Sequence, residues 1–245
     1  MKKTGIMTDS HSGILENEAS KLGIAVLPMP FYIDEKLYRE GVDISREEFY
    51  EMLRKGADVA TSQPSPESVM HMWSAMLQEY EELVYIPISS GLSGSCMTAQ
   101  AMAQEEPYAG RVFVVDNGRV STPMHRSVLD AVELAEKGYR VVNMNYSLQP
   151  EADFIEVMRE IFAALHWIEA NAQNYGFDCS RLFVTGDSAG GHYAMLVAAI
   201  QKSVQLQEYY QIRPVDSGIR GVVANCPMTE LYTAKDGKDT TSRFL

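Results

Sequence analysis

Short apolar segments alternate with longer helical patterns along the whole chain of 245 residues. This alternation is typical of βα units, whose strands pair side by side in a mostly parallel sheet. We therefore predict an α/β fold built of such units. The predicted strands are Thr4–Met7, Ile24–Leu27, Val84–Ile88, Val112–Val115, Val141–Asn145, Leu182–Thr185 and Gly221–Ala224. The predicted helices are Arg46–Leu53, Pro66–Glu79, Ser93–Ala103, Met124–Glu136, Ala152–Asn174 and Gly190–Gln207.

The net charge and the cysteine spacing argue against several kinds of partner and site. The formal net charge is −12, which argues against nucleic acid or an anionic membrane surface as the main partner because both would repel the chain. The three cysteines stand far apart without CxxC spacing, which predicts neither a disulfide framework nor a zinc site. We also expect no cofactor, no signal peptide and no membrane span, and hence a cytoplasmic location.

The amino-terminal half carries several hydroxyl-rich junctions between a strand and a helix. They include Thr8-Asp9-Ser10, Thr61-Ser62 ahead of a helix, and the run Ser89 to Ser95 with its two glycines. Free backbone N–H groups at a helix start, with nearby hydroxyls and glycines, can hold an anion. Because these loops contain no lysine or arginine, a carboxylate suits them better than a polyphosphate. The alternative is that these residues are ordinary helix N-caps, and no GxxxxGKS/T motif is present.

The order of these motifs resembles the DegV family of fatty-acid-binding proteins. The matching segments are TDSHSG, ATSQPSP, YIPISSGLSGSCMTAQ and VVDNGRVSTPMHRSVLDAVELAEKG, which together extend over about residues 3–137. The resemblance implies binding of one long-chain fatty acid with a buried acyl tail. By the same resemblance Thr61, Ser62 and Ser93 would bond the carboxylate, and Gly94 would allow close backbone approach. It further implies a fatty acid kinase as a partner that phosphorylates the bound carboxylate.

The carboxyl-terminal half contains the sequence GDSAGGH between an apolar strand and an apolar helix. This is the GxSxG nucleophile elbow in its strand–turn–helix setting, with Ser188 as the nucleophile and the Ala189 N–H as an oxyanion donor. Together with RVVNMNYSLQPEADF and GIRGVVANCPMTEL, it resembles the hormone-sensitive-lipase-like α/β-hydrolases over about residues 138–231.

A serine nucleophile also needs a base and an acid that orients the base. In this fold the chain order is serine, acid, histidine, but the only histidine after Ser188 is His192, four residues on in the elbow helix. His192 matches the GGH of the family, where it is not the base. Among the other histidines, only His11 stands in a loop of site-like composition.

The two resemblances meet at the segment Glu133-Leu134-Ala135-Glu136-Lys137-Gly138-Tyr139, which fits both families. We therefore predict a chimeric chain, with a DegV-like domain at residues 1–137 and a partial α/β-hydrolase domain at residues 138–245. Exposed sheet edges in such fragments would favour a homo-oligomer. Three hypotheses for function follow: fatty acid binding with an inactive hydrolase piece, a serine carboxylesterase acting through Ser188, or a fusion remnant with neither activity.

Overall fold

The computed structural model describes residues 2–148 and 150–227. They separate into two compact units, with the division between Val141 and Val142. In chain order the first unit holds the elements β1 (Lys2–Asp9), α1 (Glu16–Leu22), β2 (Ala25–Leu27), β3 (Pro30–Ile33), β4 (Lys36–Arg39), α2 (Arg46–Arg54), β5 (Val59–Thr61), α3 (Pro66–Met76), β6 (Tyr80–Ile86), α4 (Ser95–Met102), β7 (Val112–Val114) and α5 (Ser121–Glu136). The second unit holds α6 (Phe154–Ala170), α7 (Ala172–Tyr175), β8 (Phe183–Asp187), α8 (Ala189–Lys202), α9 (Val204–Tyr210) and β9 (Gly221–Asn225).

The first unit is organised around a four-stranded parallel sheet in the order β2-β1-β6-β7. Side chains alternate between the two faces of each strand. Met7 and Tyr85 therefore join a core on one face that includes Trp73 of α3. Ile6 and Ile86 join a core on the other face with Val128 of α5. Both faces are covered, as the βα pattern of the sequence predicts, and the α/β class is confirmed.

A second, smaller sheet in this unit is antiparallel, in the order β4-β3-β5, and was not predicted from the sequence. A tight hairpin joins β3 to β4, with positive φ angles of 48° at Asp34 and 64° at Glu35. Aspartate tolerates this region better than most residues, but glutamate does not share that tolerance, and the dipeptide lacks the glycine that usually marks such a turn. The sheet matters for the site because Thr61 is the last residue of β5.

The second unit contains a two-stranded parallel sheet of β8 and β9, with Val184 opposite Val222. Its core is formed by α6, α8 and α9 through buried residues that include Met158, Phe162, Val197 and Ile200. Asp153 begins α6 with a capping box, since its side chain accepts from the Glu156 N–H and the Glu156 side chain accepts from the Asp153 N–H.

Three predictions for this part of the chain were wrong. Residues 141–145 do not form a strand, although their β-branched pattern suggested one. Such a pattern favours a strand only where a neighbour supplies the ladder, and no described strand pairs with this segment. The predicted helix Gly190–Gln207 is two helices, because Ser203 is extended and its hydroxyl caps the Leu206 N–H. The predicted helix Ala152–Asn174 likewise ends at Ala170 and is followed by the short α7.

Candidate functional site

The loop after β1 is joined to the loop after β6 by one buried carboxylate. Asp9 is fully buried at the end of β1. Its Oδ2 accepts a hydrogen bond of 2.8 Å from the Ile88 N–H, just ahead of the serine- and glycine-rich loop. Its Oδ1 accepts one of 3.0 Å from the His11 N–H. The two loops are therefore held together at the carboxyl edge of the parallel sheet, where ligands of α/β proteins bind.

The loop after β1 is joined in turn to the segment ahead of β3, and that segment to the loop after β5. The Ser10 hydroxyl accepts from the Met29 N–H at 3.1 Å and donates to Glu40 Oε2 at 2.6 Å. The Ser62 N–H donates to the Pro30 carbonyl at 3.3 Å. These bonds connect parts of the chain that are distant in sequence.

The loop after β5 finally reaches the loop after β6. A Cβ placed on Gly94 would lie 3.6 Å from Gln63 Oε1, so the Gln63 side chain stands against the backbone of Gly94. Four segments thus form a closed ring of contacts, which we call the crevice ring: residues 9–11, 29–30, 61–63 and 88–95. The ring brings the predicted residues Thr61, Ser62, Ser93 and Gly94 to one edge of the unit.

The exposure and hydrogen bonds of the predicted binding residues differ from one residue to the next. Thr61 is exposed and lies opposite Phe31 in the antiparallel register. The half-buried Ser62 donates its hydroxyl to the Gln63 carbonyl at 3.2 Å. The Ser93 hydroxyl accepts from the Ser95 N–H at 3.2 Å, which leaves its own proton available at the start of α4. The direct link between the two loops runs through Gln63 and Gly94, and Gln63 was not predicted.

Two further polar groups at this edge of the sheet were also missed. The Ser95 hydroxyl and the Asn117 amide nitrogen are buried, and neither has a hydrogen-bond partner within the described residues. Ser95 opens α4, and Asn117 follows β7 with its oxygen accepting from the Arg119 N–H. Buried polar groups are nearly always paired in native proteins, so two unpaired donors at one sheet edge indicate room for a polar ligand or water. Sequence position alone could not reveal burial.

The pKa values of two ionisable side chains around the crevice ring, His11 and Asp116, are shifted. Contact with the Asp9 carboxylate raises the pKa of His11 against the opposing effect of burial, and Glu40 raises it further. The Ser90 hydroxyl lowers the pKa of Asp116, burial opposes this, and the Gly118 amide adds to the lowering. His11 Nδ1 lies 3.3 Å from Asp9 Oδ1, an ion-pair distance without hydrogen-bond alignment. The pKa shifts of Asp116 and His11 therefore each favour the charged form of the side chain.

A hollow of about 300 Å³ lies on the antiparallel sheet but is separate from these hydroxyls. It is lined by Tyr32, Glu35, Asp58 and Ala60. Because Ala60 and Thr61 are adjacent in one strand, their side chains point to opposite faces. The hollow is open to solvent and carries no hydroxyl of the predicted set.

We predict that Cys96, on α4 beneath the ring, resists alkylation in the folded protein. Burial raises the pKa of its thiol to about 11, with smaller contributions from Asp116 and Asp9, whereas Cys226 is exposed. Since the thiolate is the nucleophile, iodoacetamide at about pH 8 should modify Cys96 roughly a hundredfold more slowly than Cys226. Peptide mass spectrometry of timed samples measures both rates, and denatured protein is the control. Equal rates in the folded protein would contradict the packing of α4 on the sheet.

The second unit forms a nucleophile elbow around Ser188. This residue joins β8 to α8 with φ 53° and ψ −114°, a strained conformation for a serine. Glycine is required on either side: a Cβ on Gly186 would lie 2.3 Å from the Gly190 carbonyl, and one on Gly191 would lie 2.8 Å from the Asn225 carbonyl. The Ser188 N–H donates to the Asn225 carbonyl at 2.9 Å, which ties the turn to β9. Ser188 itself is exposed.

The elbow has an oxyanion candidate, and the described histidines lie as follows. Ala189 is the first residue of α8, where backbone N–H groups lack partners within the helix. His192 lies one turn further along α8, with its ring 5.6 Å from that of Phe154. Other histidines bond elsewhere: His11 contacts Asp9, His125 bonds Glu18, and His166 bonds the Arg213 carbonyl. Within the described residues, Ser188 therefore has the turn of a hydrolase without its base.

These features define an α/β protein of two parts, a βα domain whose hydroxyl-bearing loops contact one another and a hydrolase-like piece with an elbow. A model of the DegV family, described as an uncharacterised protein family, matches residues 3–149. A BD-FAE model matches residues 115–243. The chain therefore belongs to the DegV family in its amino-terminal part and continues as a BD-FAE hydrolase-like domain. Both resemblances are confirmed, and the two matches overlap across residues 115–149, which include the segment that fits both families.

Individual relatives agree with this assignment. A DegV domain-containing protein of Caldanaerobacter subterraneus is 35% identical over 138 residues, covering 56% of this chain and 49% of that protein. A DegV family protein from Thermus thermophilus, described by its fatty acid binding, is 34% identical with a TM-score of 0.52, covering 57% and 49%. A stearic-acid-binding protein from Eubacterium ventriosum is 25% identical with a TM-score of 0.50, covering 56% and 49%. The chain spans about half the length of the curated relatives it matches.

One further finding concerns membranes. Among the described residues, no helix is both long enough and apolar enough to cross a bilayer.

Proposed function

We propose that this protein binds a long-chain fatty acid through its carboxylate at the crevice ring. The observation that supports the proposal is the ring itself, whose contacts link the loops that carry Thr61, Ser62, Ser93 and Gly94. Hydroxyl donors and the amino end of α4 suit an anion of low charge density. The fatty acids named for the Thermus and Eubacterium relatives support a carboxylate with an acyl tail.

The roles of the residues in this proposal follow from their settings. Ser93 donates its free proton to one carboxylate oxygen, and Thr61 donates to the other. Ser62 joins Thr61 by turning its hydroxyl proton from the Gln63 carbonyl to the ligand. Gly94 lets the ligand approach the start of α4, since it carries no Cβ there. Ser95 and Asn117 complete the donor set, because their buried groups have no partner within the described residues.

The proposal extends to the second unit and to partners. The hydrolase-like piece is catalytically silent, because the described residues give Ser188 no base. A kinase that phosphorylates the bound carboxylate is the proposed recipient of the ligand. Exposed apolar side chains on the two-stranded sheet, Phe183 and Val223, favour self-association. The competing function is a serine carboxylesterase, which the strained elbow at Ser188 favours.

Native mass spectrometry of the purified protein, with lipid extraction, tests the binding function. We expect a co-purified fatty acid, and a loss of affinity for palmitate of about tenfold or more in Thr61→Ala and in Ser93→Ala, because each loses a hydrogen bond to a charged group. Ser20→Ala is the matched control, since Ser20 is an exposed serine of α1 in the same unit. Unchanged affinity in both site variants would contradict the proposal.

A fluorophosphonate probe tests the silent elbow in the same preparation. We expect no adduct at Ser188, since an unactivated serine is a weak nucleophile. A stoichiometric adduct that disappears in Ser188→Ala would instead support the esterase, and it would mean that a base acts on Ser188 after all. Absence of both lipid and adduct would support the fusion remnant with neither activity.

A further inference from the structure

The crevice ring places acidic groups where an anionic ligand is proposed to bind. Asp9 is a fully buried member of the ring, and two carboxylates beside the ring bond to it: Glu40 accepts from the Ser10 hydroxyl at 2.6 Å, and Asp116 accepts from the Ser90 N–H at 3.3 Å. The predicted donors Thr61, Ser62 and Ser93 are neutral. A carboxylate entering this region would therefore meet repulsion unless a cation balanced these charges.

His11 is the titratable cation that the ring itself contains. Its side chain is 32% exposed, whereas the Asp9 side chain beside it is 0% exposed. Asp9 orients the residue at two points, by accepting from the His11 N–H at 3.0 Å and by facing Nδ1 at 3.3 Å. With Nδ1 turned toward Asp9, the other ring nitrogen, Nε2, is the one available to a ligand.

The same carboxylate also connects His11 to the loop that carries Ser93. Asp9 Oδ2 accepts from the Ile88 N–H, so a single buried group positions both the imidazole and the start of the hydroxyl-rich loop. The sequence separation is large, since residues 9 and 88 are brought together only by the pairing of β1 with β6. Asp9 is thus a positioning residue for the imidazole and the loop alike.

We propose that His11 is the cationic partner of the bound carboxylate, held in place by Asp9, and that the ring binds fatty acid anions in preference to neutral lipids of the same chain length. The inference rests on the proposed fatty acid function and adds the residue that recognises charge. Protonated His11 neutralises Asp9 and donates from Nε2 to the ligand. The simple alternative is that His11 only completes the short helical turn after β1.

The charged surroundings of His11 determine the sign of the pH dependence. Asp9 and Glu40 both raise the pKa of His11. On α5, which packs against the turn of His11, the ionisable side chains His125 and Arg126 are paired with Glu18 and Asp130. Binding of an anion favours protonated histidine, so affinity is full below the pKa of His11 and falls as the pH rises through it. The ligand carboxylate stays ionised throughout this range.

Calorimetric titration with dodecanoate and with dodecanol, from about pH 6 to about pH 9, tests the inference on the intact chain. We expect the affinity for dodecanoate to fall about tenfold over this range while that for dodecanol stays constant. In His11→Gln the affinity for dodecanoate should be low and independent of pH, whereas His11→Lys should keep it at the alkaline end. His71→Gln is the matched control, since His71 is exposed on α3 of the same unit.

The outcomes separate this inference from the function on which it rests. A fall with pH in His11→Gln equal to that of the unaltered protein would overturn the role of His11 while leaving fatty acid binding intact. The role of His11 would also be overturned if His11→Lys lost affinity at high pH as strongly as the unaltered protein. If the unaltered protein bound neither dodecanoate nor dodecanol at any pH, the proposed function would fail, and the inference with it.

Discussion

Replacing Gly186 by alanine is expected to destabilise the second unit by about 3 kcal/mol or more. The added Cβ would lie 2.3 Å from both the carbonyl carbon and the carbonyl oxygen of Gly190. Both atoms belong to the backbone at the start of α8, so no side-chain rotation can relieve the overlap. Relief requires α8 to move away from β8, which breaks the contacts of Val197 and Ile200 with the core.

Gly190→Ala is the matched control for this change. A Cβ on Gly190 would meet nothing within 4 Å, and the residue lies within α8 with no positive φ. Alanine at a helical position is more favourable than glycine by about 0.5–1 kcal/mol, so this variant should be as stable as the original or slightly more so. Urea unfolding, with hydrogen exchange of the α8 peptides, measures both. Equal unfolding midpoints for Gly186→Ala and Gly190→Ala would show that the elbow is more open than these distances indicate.

Replacing Asp9 by alanine is expected to lower the free energy of unfolding of the first unit by about 3 kcal/mol. The side chain is fully buried and accepts from two backbone N–H groups, those of His11 and Ile88. Alanine leaves the buried Ile88 N–H and the part-buried His11 N–H without acceptors, and an unpaired buried donor costs about 1–3 kcal/mol. Because Asp9 also holds the crevice ring together, fatty acid binding should be lost as well, even where the variant remains folded.

Asp130→Ala provides the comparison for Asp9→Ala. Asp130 is an exposed partner of Arg126 on α5, and such surface pairs contribute little to stability. Thermal unfolding of the two variants, beside the unaltered protein, should show a large loss for Asp9→Ala and almost none for Asp130→Ala. Similar losses would mean that the carboxylate of Asp9 does not join the two loops in solution.

The elbow illustrates what could be predicted without a structure. The glycine at 186 is needed because the backbone of Gly190, four residues on in the same strand–turn–helix, lies against it. The glycine at 191 is needed mainly because Asn225 of β9 lies against it, a contact that comes from the pairing of β8 with β9. A steric requirement between residues only four positions apart, such as that at Gly186, can be predicted from the GxSxG motif. The strands of the parallel sheet were also predictable, because a buried strand between amphipathic helices has a recognisable apolar pattern.

The antiparallel sheet and the segment at 141–145 illustrate the opposite case. Strands β3, β4 and β5 are short, and the apolar run that ends at Ile33 is broken by Pro28 and Pro30, so it did not indicate that Ile33 is buried opposite Val59. Conversely, Val141 and Val142 look like a strand but remain exposed, since no described strand pairs with them. In both cases the presence or absence of a pairing strand among the described residues, rather than propensity, decided the outcome.

The sequence by itself determined the family of each half, the succession of βα units, and the identity of the hydroxyl loops and the elbow, because these depend on residue type and short spacing. Only the tertiary structure decided which of those loops meet. The links from Asp9 to Ile88, from Ser62 to Pro30 and from Gln63 to Gly94 join residues across the sheet. The first link exists because parallel pairing of β1 with β6 brings the carboxyl ends of distant strands to one edge, and the second because β3 pairs antiparallel with β5. No local pattern encodes either placement.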